Sequence, residues 1–391
     1  MAPTLVYSSL SLTVEAAADA MCVGAKAARE LAKLLPAPYR VVLLEKRSYL
    51  FFWLGETLAE EEDSHFTHLY VLPRFAVIPG YEDHAFIPYD HLFDGAGHHR
   101  ALYLQATVTA ISASEVTYQQ HGREESEVMP YTYLVYAAGS RLPVPLMKLP
   151  VARQHAVSWL KGYQERIAFA QRVVVAGGGA LGIQFASDIK AWFPEKHVLL
   201  INSRPRFLPL YEMEMHRLIQ EELEKLGVEV LHNERLVVEP DKWPETDEMT
   251  TLRLQSGRSL QSDLPILCLG LRHNHELIST FCPEALDAKS GALRVTPTLQ
   301  LEVEDLRHIF VIGDVAKTGS IKAGHTGYRM AEVAVHNILK LIAGQTDLQR
   351  YDPTPPRIKI TLGKVSFPPL QRRIIRCNRI TLARGRLPKY K

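Results

Sequence analysis

Three glycines stand at 177, 179 and 182 in the run RVVVAGGGALG (172–182), and their spacing suits the holding of a pyrophosphate. A G-x-G-x-x-G turn between strand and helix lets the main chain approach phosphate oxygens, while the first N–H groups of the helix and its dipole face the charge. The motif alone also fits a tight structural turn. Here helix IQFASDIKAWF (183–193) follows, then a PEK turn and strand HVLLINS (197–203), which is the order of a βαβ dinucleotide unit. At the tip of that strand, where an NAD-selective site carries an acid, stand Asn202, Ser203 and Arg204, with Arg206 close by. No carboxylate repels a 2′-phosphate there and guanidinium groups pair well with one, so the pattern leans to NADPH or to dual use. The other reading leaves both arginines merely solvated.

A second candidate lies earlier. Gly24 matches a third glycine, and Glu45 ends RVVLLEK (40–46) where an acid would bind ribose hydroxyls. Asp19 and Met21 hold the first two glycine positions: the acid repels a pyrophosphate, and the methionine has a side chain where the backbone should come close. A short strand beside RVVLLEK with a turn at 22–24 would favour a working nucleotide site, and one continuous helix over 15–35 would not. The run HIFVIGDVA (308–316) ends a buried strand in Gly313 and Asp314. Asp314 either accepts a flavin ribityl hydroxyl or simply closes a turn. Lys322 is either a cation beside an isoalloxazine, steadying negative charge on the reduced ring, or an exposed loop lysine.

The elements that must position these residues repeat. Helix AKAARELAKLL (25–35) and strand RVVLLEK are the second half of a βαβ unit, which returns in full from Gln171. Between the copies, 101–120 alternates as hairpin strands do, and YTYLVYAAGS (131–140) reads as a buried strand ending in glycine. Helix 212–227, stopped at Gly227, precedes strand 228–232; DLPILCLG (263–270) leaves this unit, and helix 327–342 closes the core. The fold class is therefore α/β, with two Rossmann-like dinucleotide-binding domains, the second inserted in the first, plus a small C-terminal region. The expected divisions are 1–150, 151–264, 265–345 and 346–391.

Composition bounds the function. Lys and Arg number 45 against 43 Asp and Glu, a near balance that argues against a protein working by covering nucleic-acid phosphates. Cys22, Cys268, Cys282 and Cys377 form no C-x-x-C pair, which removes the redox dithiol and structural zinc readings, so no metal is expected. No run of about twenty apolar residues exists. The first 25 residues lack Lys and Arg, unlike a secretory signal or a transit peptide, so a cytoplasmic, soluble or membrane-peripheral protein is expected. The tail after Gln371 carries eight Arg or Lys and no acid; it suits either a solvated disordered end or contact with an anionic membrane surface.

These pieces, in this order, resemble the pyridine-nucleotide flavoprotein superfamily. Within it they are most similar to the ferroptosis-suppressor group of apoptosis-inducing-factor-like proteins, which also resemble type II NADH dehydrogenases. The likeness rests on ARELAKLLPAPYRVVLLEK (28–46), YTYLVYAAGSRLP (131–143), RVVVAGGGALG (172–182), DIKAWFPEKHVLLINS (188–203), SGALRVTPTLQLE (290–302) and IFVIGDVA (309–316), and more faintly on ITLGKVSF (360–367). The resemblance implies FAD in the first unit, NAD(P)H in the second, and hydride passing to flavin and then to a quinone. It implies Gly24, Glu45, Lys46, Val108, Ala138, Gly139, Gly313 and Asp314 around FAD, with Lys322 beside the flavin as the catalytic side chain. It implies Gly177, Gly179, Gly182, Gln184, Asn202, Arg204 and Gly270 around NAD(P)H. Three departures accompany it: residues 1–23 replace the group's first strand and G-x-G, Gln184 stands where a Glu is usual, and the missing C-x-x-C excludes the disulfide-reductase branch. The alternative reading is a flavin-free NAD(P)H-binding sensor or inactive relative, or the product of an incomplete gene model.

Overall fold

The structure, a computed structural model, describes residues 11–15, 21–51, 71–95, 100–141, 149–237, 249–353, 355–363 and 374–378. Its first sheet begins with β1 (Ser11–Glu15), followed by α1 (Met21–Leu34) and β2 (Arg40–Glu45). Strand β2 is rich in Val and Leu and buried almost throughout, as a parallel strand covered on both faces must be. After α2 (Val71–Val77), the long β3 (Ala101–Ile111) pairs parallel to β2 over its first half. Its second half turns into an antiparallel meander with β4 (Glu115–Gln120) and β5 (Ser126–Pro130), with a register shift between Val108 and Ala110. Strand β6 (Leu134–Tyr136) lies parallel to β1 on its other side.

Helix α3 (Arg153–Phe169) leads into a second sheet made of β7 (Arg172–Ala176), β8 (His197–Asn202), β9 (Glu229–His232) and β10 (Leu264–Leu267). All four strands are parallel, in the order β9, β8, β7, β10, with α4 (Ala180–Trp192) and α5 (Met213–Leu226) as crossovers. The unbroken apolar run of β7 follows from this layering. Val173 and Val175 join the main core, whereas Val174 and Ala176 face a second cluster with Leu199, Ile201, Leu252 and Leu254. Each Val, Leu or Ile side chain among these, once fully buried, contributes roughly 1.5–3 kcal/mol.

The chain then returns to the first sheet. Strand β11 (Ile309–Val311) pairs parallel to β6, giving the order β11, β6, β1, β2, β3, β4, β5. The second sheet is thus built entirely from residues between two strands of the first. Helix α6 (Gly324–Ile342) packs along α1 at close range, since a Cβ on Gly327 would fall 2.4 Å from Cγ2 of Val23. Finally β12 (Arg357–Thr361) pairs antiparallel with β13 (Ile374–Asn378). The basic tail is therefore ordered as a strand over those five residues, which the disordered reading did not anticipate; the rest of the tail lies outside the described residues.

Register decides where the chemistry sits. Glu15 pairs with Leu44 and with Tyr136, and Tyr136 pairs with Val311, so Glu45, residues 137–140 and residues 312–314 all emerge at one carboxyl edge. In the second sheet Ala176 pairs with Ile201 and Leu267, and Asn202 with His232, which gathers Gly177, Cys268 and the strand tips at the other. Carboxyl edges of open parallel sheets are where such folds take ligands.

Candidate functional site

At the second carboxyl edge the glycines divide the labour. A Cβ on Gly182 would lie 1.9 Å from the Gly177 carbonyl oxygen, and one on Gly177 would lie 2.3 Å from that of Cys268, so both positions exclude side chains for internal reasons. Gly177 also has φ +124, outside the range other residues adopt readily. Gly179, by contrast, has nothing within 4 Å of its added Cβ and caps α4 without a side-chain bond. The first intrahelical bond of α4 runs from Ile183 N to Gly179 O, which leaves the preceding N–H groups of the first turn for a ligand.

The tip of β8 differs from its sequence reading in one respect. Asn202 is buried, with its Nδ2 donating to Arg204 O at 3.0 Å, so its amide braces the loop and does not stand open to a ribose. Ser203 and Arg204 are exposed just beyond it, and Arg206 is tied back by donating to Pro209 O at 2.8 Å. Among the described residues of this strand tip, Arg204 is therefore the exposed cation. Gly270 is exposed past the end of β10. Gln184, expected near NAD(P)H, is fully buried, and its Nε2 donates to Thr361 Oγ1 at 2.8 Å in the contact between α4 and β12. Its Oε1 has no partner among the described residues.

The first carboxyl edge holds the remaining candidates. Strand β1 occupies the position that the resemblance left empty, beside β2, so a continuous helix over 15–35 does not form. Helix α1 starts at Met21, however, which places Gly24 inside a helix and not in a turn at 22–24. Asp19 lies outside the described residues. Glu45 is buried at the end of β2, its Oε1 accepting from Arg47 N at 3.0 Å. Lys46 uses its carbonyl to accept from Gln105 Nε2, and Val108 is half-buried at the register shift of β3. Across the edge, Ser140 Oγ donates to Asp314 Oδ2 at 2.7 Å, joining the turn that contains Ala138 and Gly139 to the one that contains Gly313. Lys322 is half-buried, donating to Ala316 O at 2.7 Å, and not a freely exposed loop lysine. Burial holds its pKa below the usual lysine range, with Asp314 pulling the other way.

Three residues that the sequence reading passed over complete this edge. Arg272 and His273 pair with Arg141 and Ser140 where the chain leaves and re-enters the first unit. Asn274 locks that crossing: its Nδ2 donates to Ala138 O, its backbone N to Gly139 O, and its carbonyl accepts from Tyr136 Oη. Burial first, then Lys322, keeps the His273 imidazole below its usual pKa, so it is neutral at pH 7. Away from both edges, Arg74 of α2 donates to both oxygens of Asp188 on α4, at 3.0 and 2.9 Å, and to Gly363 O beyond β12. The signal for Asn274 was a polar triplet, His-Asn-His (273–275), two residues beyond DLPILCLG (263–270); nothing local marks Arg74.

Two nucleotide-binding sheets, one set within the other, with glycine turn and acid at their carboxyl edges, define a two-dinucleotide oxidoreductase plan. The chain belongs to the pyridine nucleotide-disulphide oxidoreductase family, whose sequence profile matches residues 23–337. It is 37% identical to Fe-regulated protein 8 of Mycosarcoma maydis, over 87% of this chain and 84% of that protein. It is 29% identical to human ferroptosis suppressor protein 1, over 78% of this chain and 79% of that protein. In fold it is similar to the reduced CoADR-RHD of Bacillus anthracis, with a TM-score of 0.68 and 18% identity; 91% of this chain is covered, and it spans 60% of that chain's length. No helix among the described residues is long and apolar enough to cross a membrane.

Proposed function

We propose that this protein is an FAD-dependent oxidoreductase that takes hydride from NAD(P)H, NADPH being favoured, and delivers two electrons to a quinone-like acceptor. The observation that carries the proposal is the pair of carboxyl-edge cradles in one family member: the turn 177–182 with α4, and the edge formed by Glu45, Ser140 and Asp314. The described residues of that second cradle suit FAD, because a buried acid ends β2 and the Asp314 carboxylate is already oriented by Ser140 Oγ. Bound FAD would supply the two-electron carrier between donor and acceptor.

The chain's own contributions are binding and orientation. Free N–H groups at the start of α4 hold the pyrophosphate of the nicotinamide dinucleotide, and exposed Arg204 faces its adenosine end with no acid at the tip of β8 to oppose a 2′-phosphate. Asn274 keeps the two turns of the first edge in register. Lys322, fixed by Ala316 O, offers positive charge beside Asp314. The acceptor class rests on the resemblance to the ferroptosis-suppressor group. Anaerobic mixing of the purified protein with NADPH and a soluble short-chain quinone tests the proposal: one quinol per NADPH oxidised is expected. NADPH left unconsumed with every quinone offered would reject it, and tight NADPH binding without turnover would support the flavin-free alternative.

A further inference from the structure

Beneath the tip of β8 a polar chain runs away from the site. Asn202 Nδ2 donates to Arg204 O and, also at 3.0 Å, to His232 Nδ1, while Asn202 Oδ1 accepts from Arg204 N at 3.4 Å. The Arg204 backbone thus dictates which end of the amide is NH2. That fixes the histidine: its Nδ1 must carry the lone pair, so Nε2 carries the proton, and Nε2 duly lies 3.0 Å from Gln220 Oε1 on α5. The same amide lies beside the glycine turn without bonding to it among the described hydrogen bonds: a Cβ on Gly178 would fall 2.5 Å from its Cγ and Oδ1, whereas its bonds go to Arg204 and His232. Further along the loop, Phe207 packs on the His232 ring at 4.8 Å between centroids, and its backbone N donates to His216 Nδ1 at 3.3 Å.

We propose that His232 is a positioning residue for dinucleotide choice: by holding the Asn202 amide in one orientation it presents Arg204 to the 2′-phosphate of NADPH. This inference rests on the NADPH preference proposed above. It separates two functions at the strand tip. Asn202 is consumed in bracing the loop, Arg204 meets the phosphate, and His232 with Gln220 keeps the brace from turning over. Replacing His232 with an apolar side chain leaves one Asn202 N–H without its acceptor. The amide is then free to rotate, and both of its bonds to Arg204 loosen together. A ligand lacking the 2′-phosphate makes no demand on Arg204 and is little affected.

The test is calorimetric titration of the full chain with NADP+ and with NAD+, which reads binding without turnover. Wild-type protein is expected to bind NADP+ more tightly. His232→Leu should weaken NADP+ by about tenfold and NAD+ by no more than about twofold, and His232→Gln, which restores an acceptor, should recover most of the loss. If wild type prefers NADP+ but His232→Leu leaves the ratio unchanged, or weakens both ligands equally, the inference is overturned and the NADPH reading stands. If wild type prefers NAD+, both are overturned. Should His232→Leu lose its thermal transition, Gln220→Leu removes only the tautomer lock; an NADP+ to NAD+ ratio reduced about threefold supports the inference and an unchanged ratio overturns it.

Discussion

Gly179 and Gly182 carry the same side chain in the same turn for opposite reasons, and substitution separates them. Space around Gly179 is open, so Gly179→Asp should keep its stability within about 0.5 kcal/mol of wild type while setting bulk and negative charge against the pyrophosphate. Loss of NADPH binding in a fluorescence titration, with the melting temperature preserved, is the expected result; unchanged affinity would remove the site from this turn. Gly182→Ala meets the Gly177 carbonyl and should lose both fold and binding. At the rim, Arg204→Glu is expected to weaken NADPH more than NADH, and equal losses would argue against its pairing with the 2′-phosphate. These positions were legible in the sequence because a glycine turn announces itself by spacing. The side-chain direction of Asn202 and Gln184 was not, since it depends on Gly178, His232 and Thr361, which the linear order does not bring together.

Strands and helices were readable for a related reason. The runs 172–176 and 197–203 are apolar on both faces, and the structure covers both faces; Gly227 ends α5 in the left-handed conformation, with φ +80, as a helix stop should. Contacts between elements were not readable. Arg74 and Asp188 stand 114 residues apart, yet their bidentate pair joins α2 to α4, with Asp188 3% exposed. Arg74→Met should therefore leave a carboxylate buried alone, at a cost of about 3–5 kcal/mol in urea unfolding, and adding Asp188→Leu should recover most of it. A single substitution costing under about 1 kcal/mol would show that the pair does not hold these helices. Helix α5 and the loop before it carry a pH dependence. Burial, then His232 and Arg206, hold His216 below the usual 6.5, so the unfolded chain takes up the proton first. The stability contributed is complete above about 6.5 and is lost as pH falls through the window below it. His216→Gln is expected to flatten the fall of the urea midpoint in that window, and an unaltered slope would place the dependence elsewhere.

The molecule as a whole places one nucleotide-binding sheet between two strands of another; Asn274 holds the crossing between them, and the Arg74 pair joins α2 to α4 away from it. That arrangement was legible from the internal repeat, because two glycine- or acid-ended βαβ patterns separated by a β-rich stretch have few ways to share a core. The first strand was the exception. Its sequence, SLTVE, carries no glycine signal, yet it takes the central place between β2 and β6, where the parallel neighbours and not the turn specify it. The proposed function requires that strand to serve a working flavin site. Visible absorption of the purified chain, followed by release and chromatographic identification of any flavin, tests it most directly. Near-stoichiometric FAD, its absorption bleached by anaerobic NADPH, is the expected result. A protein that binds NADP+ but retains no flavin, even after reconstitution with excess FAD, would contradict it.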